Sequence, residues 1–249
     1  MKELIKDKIE ELLSKEYACS RAELNGKQTV YSVHPEEGQR ILKLLAYRNC
    51  VVICTSKDLH KKVRELLQGK SRDEMFEVPL VYGQTIHYVP GHRGGEGRPT
   101  WPDASGTFLF GGEVQSLNGL SGFENALAFD ANGSTPTKAV CVAKEKHEII
   151  GIAGAAESVV DGVWEVGVDV VEGHRNAGLA TRLVSGLTRE LLERGIVPFY
   201  SASVTNIGSQ MVANRCGYIP YWVDTFGTIL DGSSAYQPMV QGLSSGFMA

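Results

Sequence analysis

Residues 163–195, VWEVGVDVVEGHRNAGLATRLVSGLTRELLERG, constrain the fold more than any other run in the chain. Over Val163–Val170 the residues alternate with period two, placing Trp164, Val166, Val168 and Val170 on one face and Glu165, Gly167 and Asp169 on the other, as in a strand. From Leu179 the period changes. Leu179, Leu183, Leu187 and Leu191 recur every four residues along a predicted amphipathic helix over 178–194, with Gly195 as its stop. A strand that hands over to a helix through one short polar turn commits both to a single α/β layer. It also leaves the unpaired N–H groups and positive dipole end of the helix's first turn beside the end of the strand, a place for an anion. Gly178 and Ala180 give such an anion clearance, and Arg175 adds a fixed positive charge. Arg175, Asn176, Ala177, Gly178, Leu179 and Ala180 therefore form a candidate binding turn that suits a pyrophosphate better than a single carboxylate. A helix start with small residues for close packing is the alternative at this point.

Around this unit the chain reads as alternating elements. An amphipathic helix over 2–16 carries Leu4, Ile5, Ile9, Leu12 and Leu13 on one stripe. Strand 28–33, helix 36–48, strand 50–55 and helix 57–68 follow and suggest a small α/β layer with no phosphate loop. After a strand at QTIHYV, residues 90–106 lose all apolar periodicity and read as a linker or lid, in which His92, Arg93, Trp101 and Asp103 are placed to touch a substrate. From about residue 107 a helical stretch is expected to end near FENALAFDANG. Three strands, KAVCVA, EIIGIAGAAES and VWEVGVDVV, then run through connections short enough to make them antiparallel neighbours, the last with an Asp161-Gly162 hairpin signal. Downstream of the 178–194 helix come strand VPFYSASV, helix 206–215 and a closing pair of short strands near YIPYWVDTFGTIL. The expected division is an N-terminal α/β domain over 1–100 and a second domain over 107–249.

Composition narrows the function classes. With 249 residues the chain can bury a substantial core, and a formal net charge of −4 supplies no global basic field for nucleic acid. No run approaches the roughly 20 apolar residues of a membrane span, and MKELIKDKIEELL is unlike a secretory core, so a cytoplasmic protein is expected. Five cysteines with no CxxC pair fit neither a disulfide framework nor a zinc ribbon and read as reduced, mostly buried thiols, and no metal is expected.

Taken together, strand WEVGVDV, turn VEGHRNAGLA, the amphipathic helix, strand PFYSASV and NIGSQMVANRCGY resemble the GNAT superfamily of acetyl-CoA-dependent N-acyltransferases. The family's arginine or glutamine followed by x-x-G-x-G/A is met by Arg175, Gly178 and Ala180. A second family pattern is met by Asn206, Ser209 and the pair Gly217-Tyr218. The resemblance covers about residues 107–249 and is strongest from 163 to 218; the segment before it is similar to GNAT-like proteins with an extra N-terminal α/β domain. The resemblance implies an α/β fold with a mixed sheet in which strands 163–171 and 197–204 splay apart and the pantetheine arm of acetyl-CoA enters the gap. That arm would pair with the backbone of Val168, Asp169 and Val170 like an added strand. The pyrophosphate would rest on residues 175–180, with Asn206 and Ser209 near the same arm. As an N-cap for helix 206–215, Asn206 has a local role of equal standing.

For acyl transfer to an amine of pKa about 10.4, only about one molecule in 2,500 is uncharged at pH 7, an obstacle of roughly 4.6 kcal/mol that a general base relieves. Glu165 lies where many members of the family place that base; Glu157 and Asp161 are the reserves, and a solvated strand glutamate is the structural alternative. One feature departs from the family. Ala213 stands where many members carry a tyrosine acid, leaving Tyr200 and Tyr218 as substitutes, of which Tyr218 matches the family's aromatic packing position. The leading expectation is therefore acetyl transfer from acetyl-CoA to a small-molecule or peptide amine by direct attack in a ternary complex, with a homodimer among the arrangements the N-terminal layer would serve. A non-catalytic acyl-CoA-binding or sensor module is the alternative. A dinucleotide-dependent oxidoreductase is disfavoured, since no early strand is followed by a glycine-rich turn.

Overall fold

The computed structural model describes residues 2–36, 38, 40–91 and 106–229. His92, Arg93, Trp101 and Asp103 lie outside them. In chain order the elements are α1 (Lys2–Glu16), α2 (Arg21–Leu24), β1 (Thr29–Val33), β2 (Leu42–Tyr47), β3 (Cys50–Thr55), α3 (Lys57–Leu67), α4 (Arg72–Phe76), β4 (Val81–Pro90) and β5 (Thr107–Phe110). A 3-10 helix over Gly111–Leu117 follows. Then come β6 (Thr137–Glu145), β7 (Glu148–Glu157), β8 (Val163–Val170), α5 (Leu179–Glu193), β9 (Val197–Ser203), α6 (Ile207–Arg215) and β10 (Tyr218–Thr228). The fold is mixed α/β, with parallel and antiparallel strand pairs.

Contacts divide the chain into two units, each made of two segments: Met1–Leu12 with His87–Pro220, and Leu13–Ile86 with Tyr221–Ala249. Strand pairing ignores sequence order, so these units are interleaved along the chain.

In the second of these units β1 runs parallel to β3, β3 antiparallel to β2, and β2 antiparallel to β10. All six residues of β3 are buried. The helix expected over 36–48 is not formed; its second half is β2, joined to β3 by Arg48 and Asn49, with Arg48 at φ 51°. Leu42, Leu44, Leu45 and Tyr47 are all buried, so this strand hides both faces and its apolar residues fall at helix-like intervals. The expected pair of closing strands is a single β10. Pro220 and Gly227 read as interruptions, yet at Gly227 a Cβ would collide with the Tyr82 ring, so the glycine is there for close packing within a continuous strand.

In the other unit β6, β7 and β8 form an antiparallel run, as the short connections imply; β5 pairs antiparallel with β6 from a longer connection, and β8 pairs in parallel with β9. Helix α5 packs against β6, β7, β8 and β9 with Leu183, Leu187 and Leu191 fully buried. A second cluster that includes Val114, Phe123, Leu127, Val140 and Ile152 is also buried. Where a helix was expected before the antiparallel strands, the chain forms β5, the 3-10 helix and turns. Gly111, Gly119 and Gly122 take φ values of 54°, 94° and 86°, and such backbone interrupts a regular helix.

Candidate active site

The register of β8 on β9 runs from Val163↔Val197 to Val166↔Tyr200 and ends there, although β8 continues to Val170 and β9 to Ser203. On its other side β8 stays paired with β7 as far as Gly151↔Val170. The two parallel strands therefore part after Val166 and Tyr200, and the segment Gly167–Val170 offers a strand edge to the gap. Residues paired across a sheet share a face, so Val166, Val168 and Val170 lie with Gly151 on the α5 side, where a Cβ at Gly151 would meet Leu179 and Leu183. Glu165, Gly167 and Asp169 lie on the opposite face, as the alternation requires.

At the end of β8 the candidate binding turn is assembled as a unit. The Val170 carbonyl accepts a hydrogen bond from Arg175 Nε at 2.9 Å, so Arg175 braces the turn against the strand end as well as supplying charge. Asn176 and Gly178 adopt φ values of 64° and 77°. Gly178 is the N-cap of α5, and no side chain caps the helix there; the first helical bond runs from Arg182 N–H to the Gly178 carbonyl. Residues 175–178 are exposed and Leu179 is buried. A Cβ at Gly178 would meet no heavy atom within 4 Å, so the first turn of the helix opens onto free space. These are the features an anion site at a helix N-terminus requires.

Across the gap, Asn206 Oδ1 accepts from Ser209 N–H at 3.1 Å and caps α6, while Gln210 Nε2 donates to the carbonyls of Ser203 and Val204, each at 3.0 Å. Burial pushes the Tyr200 phenol above its ordinary value, opposed by the neighbouring Ser209 side chain. By register Tyr200 sits at the point of splitting. Ala213 is fully buried. Tyr218 belongs to the core: its hydroxyl lies 2.8 Å from Thr188 Oγ1, and burial drives its phenol far up, so it releases no proton near neutrality.

Glu165 is exposed, and its carboxylate accepts a hydrogen bond from the hydroxyl of Ser201, the first residue of β9 beyond the split. Of the reserve carboxylates, Glu157 is the β7 partner of Trp164, beside Glu165 in register, and Asp161 lies in the turn before β8. Glu157 pairs with Lys138 at 3.7 Å, and the Asp161 backbone carbonyl takes the Lys8 ammonium at 2.8 Å. The Asp169 side chain, apart from the backbone role expected of it, is engaged by three donors. It accepts from Asn125 N–H at 2.8 Å, Asn125 Nδ2 at 2.6 Å and Ala126 N–H at 2.9 Å. Neither Asn125 nor Ser201 was found by reading the sequence. The signal for Asn125 lies in Gly154 and Gly167, where an added Cβ would collide with the carbonyl oxygens of Ala126 and Asn125.

All five cysteines are free, four of them buried, and burial pushes the thiols of Cys141 and Cys216 up to about 12 and about 11. Among the described residues no group of histidine, cysteine, aspartate or glutamate is arranged to hold a metal, and no helix is long and apolar enough to cross a membrane.

A gap between parting parallel strands, one of which leads into an uncapped helix N-terminus, defines this candidate site of a mixed α/β protein. Residues 115–221, which contain both strands, the turn and α6, match the family model of the GNAT acetyltransferases. Over these residues the chain is similar to the GNAT acetyltransferases. Its fold is similar to that of a GNAT-family protein from Novosphingobium aromaticivorans, at 18% identity and a TM-score of 0.45, covering 57% of this chain and 63% of that one. A GCN5-related N-acetyltransferase-like protein from Streptococcus suis is similar at 15% identity and a TM-score of 0.45, with coverages of 77% and 90%. For a GNAT-family acetyltransferase from Colwellia psychrerythraea the values are 10%, 0.43, 70% and 75%. Comparison with curated proteins gives no match.

Proposed function

We propose that this chain transfers an acetyl group from acetyl-CoA to a primary amine by direct attack within a ternary complex. The observation that carries the reading is the end of the β8–β9 register at Val166↔Tyr200, directly beside the uncapped turn at Gly178. The backbone of Val168, Asp169 and Val170 would hold the pantetheine amides as an added strand, with the Val170 carbonyl already shared with Arg175. Residues 175–180 would hold the pyrophosphate through main-chain N–H groups and the Arg175 charge. Asn206 and Ser209 would border the same arm.

The thioester supplies an activated acyl carbon. Glu165 would take the proton of the attacking amine, directly or through a water, with Ser201 holding the carboxylate in one orientation. A main-chain N–H near Val168 would face the oxyanion, fixed in place before reaction. Tyr200 is the phenol nearest the splitting point by register; a thiol of pKa about 8.5 also leaves as thiolate at a cost of roughly 2 kcal/mol at pH 7. The N-terminal α/β part, for which we retain the division 1–100 and 107–249, is assigned to support, acceptor selection or homodimer formation.

A second reading, a non-catalytic acyl-CoA-binding module, is favoured by one fact: Ala213 replaces the expected acid and Tyr218 is locked in the core. Titration calorimetry with CoA, followed by thiol release from acetyl-CoA across a panel of glycinamide, spermidine, an aminoglycoside and a lysine peptide, separates the two. Saturable binding with release on any amine supports transfer. Binding with no release supports the second reading, and absence of saturable binding removes both.

A further inference from the structure

We infer that Asp169 and Asn125 form a clasp that fixes the wall past which the acceptor amine reaches the gap, an inference that rests on the transfer reading above. The turn Phe123–Leu127 is closed by bonds from the N–H groups of Ala126 and Leu127 to the Phe123 carbonyl, at 3.0 and 2.8 Å. Phe123, Ala126 and Leu127 are buried beneath it, while Asn125 is exposed. Its main chain lies directly on strands β7 and β8. Gly154 and Gly167 are cross-strand partners, and at both an added Cβ would collide with a carbonyl of the turn. The Asp169 carboxylate then gathers three donors from two adjacent residues of that turn.

The location gives this arrangement a role. Gly167 is the first residue of β8 beyond the last pair with β9, and it lies between Glu165 and Asp169 on one face. A nucleophile approaching Glu165 from that face passes the clasped turn, which, packed on Gly154 and Gly167, forms one wall of the approach. A carboxylate is the right group for the clasp because it only accepts, and three N–H donors converge on it. An asparagine at 169 keeps the shape but turns an NH2 toward those donors. Asp169 and Asn125 are therefore positioning residues.

The test uses Asp169→Asn in the full chain, with three readouts: CoA affinity by calorimetry, the KM of the panel amine that the wild type turns over fastest, and amide hydrogen exchange at Asn125 and Ala126. We expect an amine KM, measured at saturating acetyl-CoA, raised at least tenfold, and exchange at both amides at least tenfold faster. An unchanged amine KM, or a loss confined to CoA affinity, overturns the clasp. If Asp169→Asn does not fold, Asn125→Ala carries the test, since it keeps both main-chain bonds; a rise in amine KM of at least threefold is then expected, and no rise overturns the inference. If the wild type binds CoA but turns over no amine, the transfer reading fails separately, and faster exchange in Asp169→Asn retains the clasp as a device of the turn while equal exchange removes it.

Discussion

Gly178 is the residue on which the proposed cofactor binding turns. Its φ of 77° is a backbone state that side chains resist, and the space where its Cβ would stand is open. Gly178→Glu adds strain, bulk and a negative charge at the proposed pyrophosphate position. It is expected to lower CoA affinity at least a hundredfold by calorimetry, and unchanged affinity would place the phosphates elsewhere. Glu165 is the complementary case. Glu165→Gln keeps the bond from Ser201 but cannot accept a proton, so turnover is expected to fall about a hundredfold at pH 7 with CoA affinity unaltered; a normal rate would clear Glu165 of the role. Arg175, Gly178 and Ala180 were legible in the sequence because they are neighbours on one turn. Ser201 and Asn125 were not, because each acts on a residue 36 or 44 positions away, and only the sheet brings the partners together.

At the scale of elements, α5 joins stability to site geometry. Its leucine stripe packs on four strands, and its first turn is the proposed binding turn, so the core holds those N–H groups in place. Leu187 is fully buried in the middle of that stripe. Leu187→Ala is expected to cost roughly 2–5 kcal/mol, measured by urea unfolding, with CoA affinity little changed at temperatures where the chain stays folded. A cost under about 1 kcal/mol would mean that the helix is not anchored by this stripe. The α5 pattern was readable because one face is buried and the other is wet. For β2 the same method fails. With Leu44 and Leu45 both buried, no solvent-facing side remains to set a period, and the pairing with β3 and β10 decides in favour of strand.

For the whole molecule, burial of neutral thiols and phenols sets an alkaline limit. Burial raises the thiols of Cys19 and Cys141 to about 12 and that of Cys216 to about 11, against an ordinary value of 9.0; the phenols of Tyr17, Tyr88, Tyr200 and Tyr218 are raised from 10.0. Below about pH 9 both folded and unfolded chains keep these protons, and the stabilisation is complete. As pH rises from there the unfolded chain releases protons that the folded chain retains, so stability is lost progressively up to about pH 12. Midpoints of urea unfolding are expected to fall steadily between pH 9 and 11, and a flat profile would contradict the burial of these groups.

What the sequence alone determined is the set of features written along the chain: the antiparallel strands β6 to β8 from their short connections, α5 from its period, and the turn of small and basic residues that opens it. These are local, governed by backbone sterics and the side-chain repeat. Only the tertiary structure decided where β8 and β9 part, that the chain divides into interleaved units, and that Asp169 bonds Asn125 and Glu165 bonds Ser201. Strand order and cross-strand contacts arise from burying apolar surface and satisfying polar groups over the entire fold, and that balance has no fixed spacing in sequence.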